Sequence, residues 1–203
     1  MPSTRNVSAA IEQFRRRGGT LRTREALEYG IHPATLYFLR DAGRITVLAR
    51  GLYKLADELE SGNPDLAVVA ARAPNAAICL VSALAFHDIT TQIPAAVQLA
   101  VPRGAYSKIK LDPLPVRVFR FDPKTFEIGL EFHNLGSARA RIYNPARAIV
   151  DSFKFRNKLG LDIALEALRL SRERKKVSNK DLLYYARLLR VERVLQPYLM
   201  ALA

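Results

Sequence analysis

The sequence predicts an α+β fold in two modules, and three observations predict it. Within the first sixty residues the apolar spacing changes from three-to-four to strict alternation, so short helices give way to a hairpin. An acidic, turn-rich stretch, "DELESGNPD" from Asp57 to Asp65, then interrupts the pattern and reads as a boundary. Beyond it, several alternating segments separated by Pro and Gly precede a run of long amphipathic stripes. The expected architecture is an N-terminal winged helix-turn-helix over residues 1–57. A mixed antiparallel-sheet and helical-bundle domain is expected over 65–203.

The elements of the first module follow in order. Ile11 and Phe14 share one face of a helix from Val7 to Arg17, with cations at its end and Gly18-Gly19 to stop it. Thr23 is a candidate N-cap for a second helix, Arg24 to Tyr29, ended by Gly30. Pro33 suits the first turn of a third helix that ends near Gly43. Leu36 and Leu39 point inward with Ile31 and Ile45, which turns Ala34, Tyr37, Phe38 and Asp41 outward. Ile45 and Val47, then Tyr53 and Leu55, alternate with polar residues and read as two strands joined by Leu48-Ala49-Arg50-Gly51. Helices followed by a hairpin in this order make a winged helix-turn-helix. In that arrangement the third helix enters a major groove and the hairpin lies along the backbone or minor groove.

In the second module "LAVVAARAP" is helical up to Pro74, and "AICLVSALAFHDI" reads as a helix in which Ile78 to Val81 could be a strand. "AAVQLAVP", "VRVFRF", "EIGLEF" and "ARARIY" suggest an antiparallel sheet of about four strands. Asn144-Pro145 is an N-cap and first-turn pair, and Ser178 to Asp181 resembles a capping box. Val191, Val194, Leu195, Tyr198, Leu199 and Leu202 form the last helical stripe.

Composition narrows the function. The chain carries 32 Lys and Arg against 19 Asp and Glu, a net charge of +13, which favours polyanions or acidic protein surfaces. Residues 1 to 57 hold ten basic and five acidic side chains, so the excess per residue is higher there, and it is mostly arginine. Cys79 is the single cysteine; it forms no internal disulfide and no CxxC metal site, and it reads as a small buried residue. The N-terminal stretch lacks an apolar signal region and the chain lacks a long uncharged apolar run. A cytoplasmic protein with no membrane partner is the expectation.

Several stretches together resemble the AbiEi-like antitoxins of type IV toxin–antitoxin systems. In the first module these are Gly30-Ile31, Leu36-x-x-Leu39, Gly43-Arg44-Ile45 and Arg50-Gly51-Leu52-Tyr53. In the second they are Ser82 to His87, the "TTQIP" of Thr90 to Pro94, and the "NPARAIVD" of Asn144 to Asp151. The resemblance implies a DNA-binding repressor that binds inverted repeats in its own promoter and so autoregulates its operon. It also implies an antitoxin that counteracts a nucleotidyltransferase-like toxin, with or without a stable complex.

The candidate DNA-binding residues are Arg22, Thr23, Arg24, Thr35, Tyr37, Phe38, Arg40, Arg44 and Arg50. Arg22, Thr23 and Arg24 stand at a helix start, where backbone N–H groups attract phosphate. Tyr37 and Phe38 would meet thymine methyls, or be buried against the second module or a dimer partner. Arg40 and Arg44 contact DNA, or pair with Asp41 or Glu28. Arg50 on the wing turn is the strongest candidate. Arg15-Arg16-Arg17 are either phosphate contacts or a solvated helix end. Arg172, Arg174, Lys175 and Lys176 form a basic loop, a second DNA contact or a docking surface.

No catalytic residue, metal site or cofactor is assigned. His32, His87 and His133 lie far apart, and Ser82 and His87 differ by about 140° around a helix, which defeats a triad. A metal-dependent nuclease is the enzymatic rival, because Asp112 and Asp122-Pro123-Lys124 loosely imitate a two-carboxylate-and-lysine site. Pro123 breaks the strand that such a site needs. A protein-interaction module using the winged helix is the other alternative.

Overall fold

A computed structural model describes residues 2–56, 63–105, 109–135 and 138–201. Residues 57–62 of the expected boundary, and Leu202 of the last stripe, lie outside the described residues. The described chain forms two compact units. One comprises the residues up to Pro74 with His133–Ala140, and the other Asn75–Phe132 and Arg141 onward.

The first unit begins with α1, Thr4–Arg16, whose N-cap Ser3 accepts a hydrogen bond from the Asn6 amide. β1, Thr20–Arg22, follows, then α2, Thr23–Glu28, and α3, Pro33–Asp41. The hairpin is β2, Ile45–Ala49, with β3, Leu52–Leu55. β3 lies between β1 and β2, antiparallel to both, with Leu21 opposite Tyr53 and Thr46 opposite Lys54. This is a winged helix with its three-stranded sheet. Phe14, Leu21, Leu36, Leu39, Ile45 and Leu55 are sealed in its core. The predicted inward face of the third helix is therefore the observed one. β1 escaped the sequence reading because three residues cannot display a period. α4, Pro64–Arg72, completes the main segment, with six consecutive buried residues from Leu66 to Ala71.

The second unit opens with β4, Ala77–Ile78, and α5, Leu80–Phe86, which reconciles the helix and strand readings of that stretch. β5, Val97–Pro102, and β6, Val116–Phe121, follow, then the single turn α6, Pro123–Phe126. β7, Leu130–Leu135, and β8, Ala138–Tyr143, whose residues His133–Leu135 and Ala138–Ala140 are grouped with the first unit, complete a five-stranded sheet in the order β6-β5-β4-β8-β7. The predicted antiparallel sheet is corrected to a mixed one: β5 pairs parallel with β6, and β4 parallel with β8. Alternation reveals strands but carries no direction. The long connection between Pro102 and Val116 permits the parallel return.

The helices are α7, Pro145–Lys154; α8, Arg156–Leu159; α9, Leu161–Glu173; α10, Asn179–Leu188; and α11, Glu192–Ala201. α7 is central: every residue from Ala146 to Phe153 is buried, and α5, α9 and α10 pack on it. Asn144 caps α7, its side-chain oxygen accepting from the Arg147 amide at 2.9 Å, and Pro145 fills the first turn. Ser178 caps α10 and hydrogen-bonds Asp181 reciprocally. Cys79 is fully buried, and burial pushes its thiol pKa well up, as a small core residue requires.

Candidate nucleic-acid interface

The outward side of α3 is set by its inward side. With Leu36 and Leu39 fixed in the core, Ala34, Tyr37 and Arg40 face solvent, Phe38 is half-buried, and Tyr37 is 50% exposed. The Arg40 guanidinium lies 5.1 Å from the Tyr37 ring centroid and is ion-paired with Asp41 at 2.7 Å. Both partners of that pair are exposed, so it contributes little to the fold and exchanges readily for a phosphate. His32 caps the helix, Nδ1 accepting from the Ala34 amide at 3.2 Å.

Thr35 is not on this face. It is 3% exposed and lines a small cleft with Asn6, Ala10 and Gln13 of α1. The helical angle that exposes Tyr37 turns Thr35 inward, away from the α3 face that Tyr37 and Arg40 occupy.

The wing is short and tied down. Arg50 and Gly51 form its turn, with Ala49 opposite Leu52 and Gly51 at φ +72°. The Gly51 carbonyl accepts from the Thr23 amide at 2.9 Å and from the Thr23 hydroxyl at 3.3 Å. The turn is thereby fastened to the start of α2, which gathers Arg22, Thr23, Arg24 and Arg50 at one place. Thr23 is the first helical residue rather than the N-cap, a position that Arg22 takes.

The Arg22 amide donates to the Glu25 carboxylate at 2.8 Å. Two amides that could have met a phosphate at this helix start are therefore already bonded, to Glu25 and to Gly51. An anion here cannot use those two amides, and the arginine side chains are the charged groups that meet it. Arg24 pairs with Glu28 at 2.8 Å, and that hydrogen bond and charge raise its pKa. Among the described residues, Arg22, Arg44 and Arg50 form no ion pair. Arg17 stacks on Tyr29 at 4.1 Å and Arg16 pairs with Glu12, so the basic end of α1 is partly engaged within the unit.

The catalytic readings meet structural explanations. Ser82 accepts from the Gln98 amide, and His87 closes α5 with Nε2 at 2.8 Å from the Tyr143 carbonyl oxygen. Asp122 caps α6, accepting from Lys124, and Asp112 pairs with Lys110. Among the described residues, no group of three or more His, Cys, Asp or Glu could hold a metal ion. None of the described helices is long and apolar enough to cross a membrane.

The "NPARAIVD" stretch carries a feature that sequence reading missed. Arg147 and Asp151 are each 1% exposed and form an ion pair at 2.8 Å on α7. The Arg147 Nη1 also donates to the Thr125 and Ile128 carbonyls, and its guanidinium lies 4.7 Å from the Tyr143 ring centroid. Burial raises the Asp151 pKa to about 6, against the pull of Arg147. An Arg and an Asp four apart inside an otherwise apolar helix were the available signal. The basic segment at the end of α9 is likewise anchored in part: Arg174 donates to the Asp88 carbonyl and Arg172 to Asn179.

A winged helix that presents an arginine-bearing turn at the start of α2 and an exposed face on α3 has the arrangement that the winged helix-turn-helix class uses on nucleic acid. Residues 9–56 match the family described as "Transcriptional regulator, AbiEi antitoxin", so the N-terminal module is similar to that of this family of regulators. No curated protein matches the chain. The crystal structure of the RV2827C protein from Mycobacterium tuberculosis is similar in fold. It has a TM-score of 0.54 and 12% identity over 91% of this chain and 72% of that one.

Proposed function

We propose that this protein is a sequence-specific repressor of its own toxin–antitoxin operon and an antitoxin against a nucleotidyltransferase-like toxin. The observation that carries the reading is the exposed α3 face together with the arginine-bearing turn fastened to the start of α2, in a module that matches an antitoxin regulator family. The module over residues 1–57 binds inverted repeats in the promoter. α3 offers Tyr37, Phe38 and Arg40 to base edges, while Arg22, Arg24, Arg44 and Arg50 meet phosphates. Thr23 acts by holding the wing turn. Residues 65–203 form the antitoxin module, which acts in the cytoplasm with or without a stable complex with the toxin. The net charge of +13 makes affinity strongly salt-dependent.

A gel shift of the protein's own upstream DNA against a scrambled duplex tests the repressor half. Preferential retardation of the upstream fragment is expected. Equal affinity for both would refute specificity. Rescue of growth on co-expression with the adjacent toxin gene tests the antitoxin half.

A further inference from the structure

The second unit contains a cavity of about 720 Å³ that the reading above does not use. Its size falls within the ~300–1,000 Å³ typical of small-molecule sites. It lies between the edge strand β6, the C-terminal half of α7, and α8. Arg103, Arg117, Arg120, Lys154 and Lys158 line it, and among the described residues none of these forms an ion pair. These cations outnumber the two carboxylates of the lining, Asp122 and Asp151, and such an excess in a concavity raises the local potential for an anion.

The cavity also has an apolar wall and one buried acceptor. Phe155 packs against Phe119 and Phe121, with ring centroids 5.6 and 5.3 Å apart. Arg117 and Lys158 are held near these rings, at 5.1 Å from Phe119 and 6.0 Å from Phe155. Asp151 lines the same cavity. Its Oδ2 is taken by Arg147, but among the described residues Oδ1 is buried without a hydrogen-bond partner. A buried acceptor of this kind calls for a donor from outside the chain.

A bare phosphate would satisfy the cations but be repelled by Asp151. A ligand that suits all three features has phosphates at one end, a planar ring, and a hydroxyl or amine donor between them or on the ring. We propose that this cavity binds a nucleoside phosphate, with its phosphates on Arg103, Arg117, Arg120 and the two lysines and a sugar hydroxyl or base amine on Asp151 Oδ1. The same chemistry is offered by a free nucleotide and by the terminal nucleotide of an RNA strand.

The test is titration calorimetry on the full chain. The probes are ATP, GTP, CTP, UTP, a 5′-phosphorylated RNA trinucleotide and inorganic pyrophosphate. At least one nucleotide should bind at one site per chain, about tenfold or more tighter than pyrophosphate. Arg117→Ala and Lys158→Ala, both at exposed positions, should each weaken it by about tenfold, the scale of a charge-assisted contact. Arg50→Ala should leave it unchanged, which separates this site from the winged helix. Asp151→Asn should remove the preference over pyrophosphate while pyrophosphate still binds. If that variant fails to fold, the two exposed-site variants decide alone. Tighter binding of a mononucleotide than of the trinucleotide assigns the free ligand, and the reverse assigns a strand end. Absence of saturable nucleotide binding, equal affinity for pyrophosphate, or indifference to Arg117→Ala and Lys158→Ala would overturn the proposal.

Discussion

Removing the Asp151 carboxylate should destabilise the second unit far more than removing the whole ion pair. In Asp151→Ala the Arg147 guanidinium stays 1% exposed, facing two carbonyls and an aromatic ring with no counter-charge. Breaking one partner of such a buried pair costs ~3–5 kcal/mol, because the surviving charge is left uncompensated. In Arg147→Met with Asp151→Leu both charges leave together, and the helix keeps an apolar face of similar volume. That double variant should lie within ~1–2 kcal/mol of the parent, or above it, since desolvation of the pair disappears. Urea unfolding of the full chain, followed by circular dichroism at several pH values, measures both.

The pH dependence adds a second check on the same pair. Asp151 has a folded pKa of about 6 against an ordinary value of 3.8, so the folded state holds this proton more tightly. Its contribution to stability is therefore greatest below the ordinary value and declines as pH rises through about 6. Asp151→Asn should abolish that slope. The reasoning fails if Asp151→Ala and the double variant are equally destabilised, or if the slope persists in Asp151→Asn.

Other perturbations test neighbouring parts of the structure. Gly51→Ala forces a side chain into φ +72° with its Cβ 3.2 Å from Thr23 Oγ1. It should cost ~1–2 kcal/mol of stability in thermal unfolding and weaken DNA binding by loosening the turn. Glu166 accepts from the Thr91 hydroxyl, which is the main cause of its lowered pKa, and also from the Thr91 amide and Thr90 hydroxyl. Its contribution is present above the ordinary carboxylate value and lost as pH falls through the folded one. Glu166→Gln should flatten that acid limb in the same urea series. Phe14→Ala, at a fully buried position in the winged helix, should cost ~3–5 kcal/mol and abolish DNA retardation where that unit unfolds.

Much of the first unit was legible because its signals are local. Leu36 and Leu39 with Pro33 and Gly43 fix α3, and the alternation about Arg50-Gly51 fixes the hairpin. What was not legible depends on partners distant in sequence. Thr35 shares a helix with Tyr37, but only α1 decides that it is buried. The amides at the start of α2 look available until Gly51, 28 residues away, occupies one of them. Strand direction was hidden for the same reason, since Val97 and Val116 meet only through a long connection. The "NPARAIVD" stretch displayed its N-cap plainly. Arg147 and Asp151 gave their spacing, but their burial follows from the helices packed around α7.

The most direct test of the central claim is footprinting of the upstream DNA by the full chain. It should be run with the wild type and with Arg50→Ala and Tyr37→Ala over one matched series of salt concentrations. Protection of an inverted repeat is predicted. Arg50→Ala should lower affinity and reduce the slope of log K against log salt by about one, as loss of one phosphate contact requires. Tyr37→Ala should reduce discrimination between the repeat and other sequence. No protected repeat, or protection that neither substitution alters, would contradict the assignment of the α3 face and the wing turn to DNA.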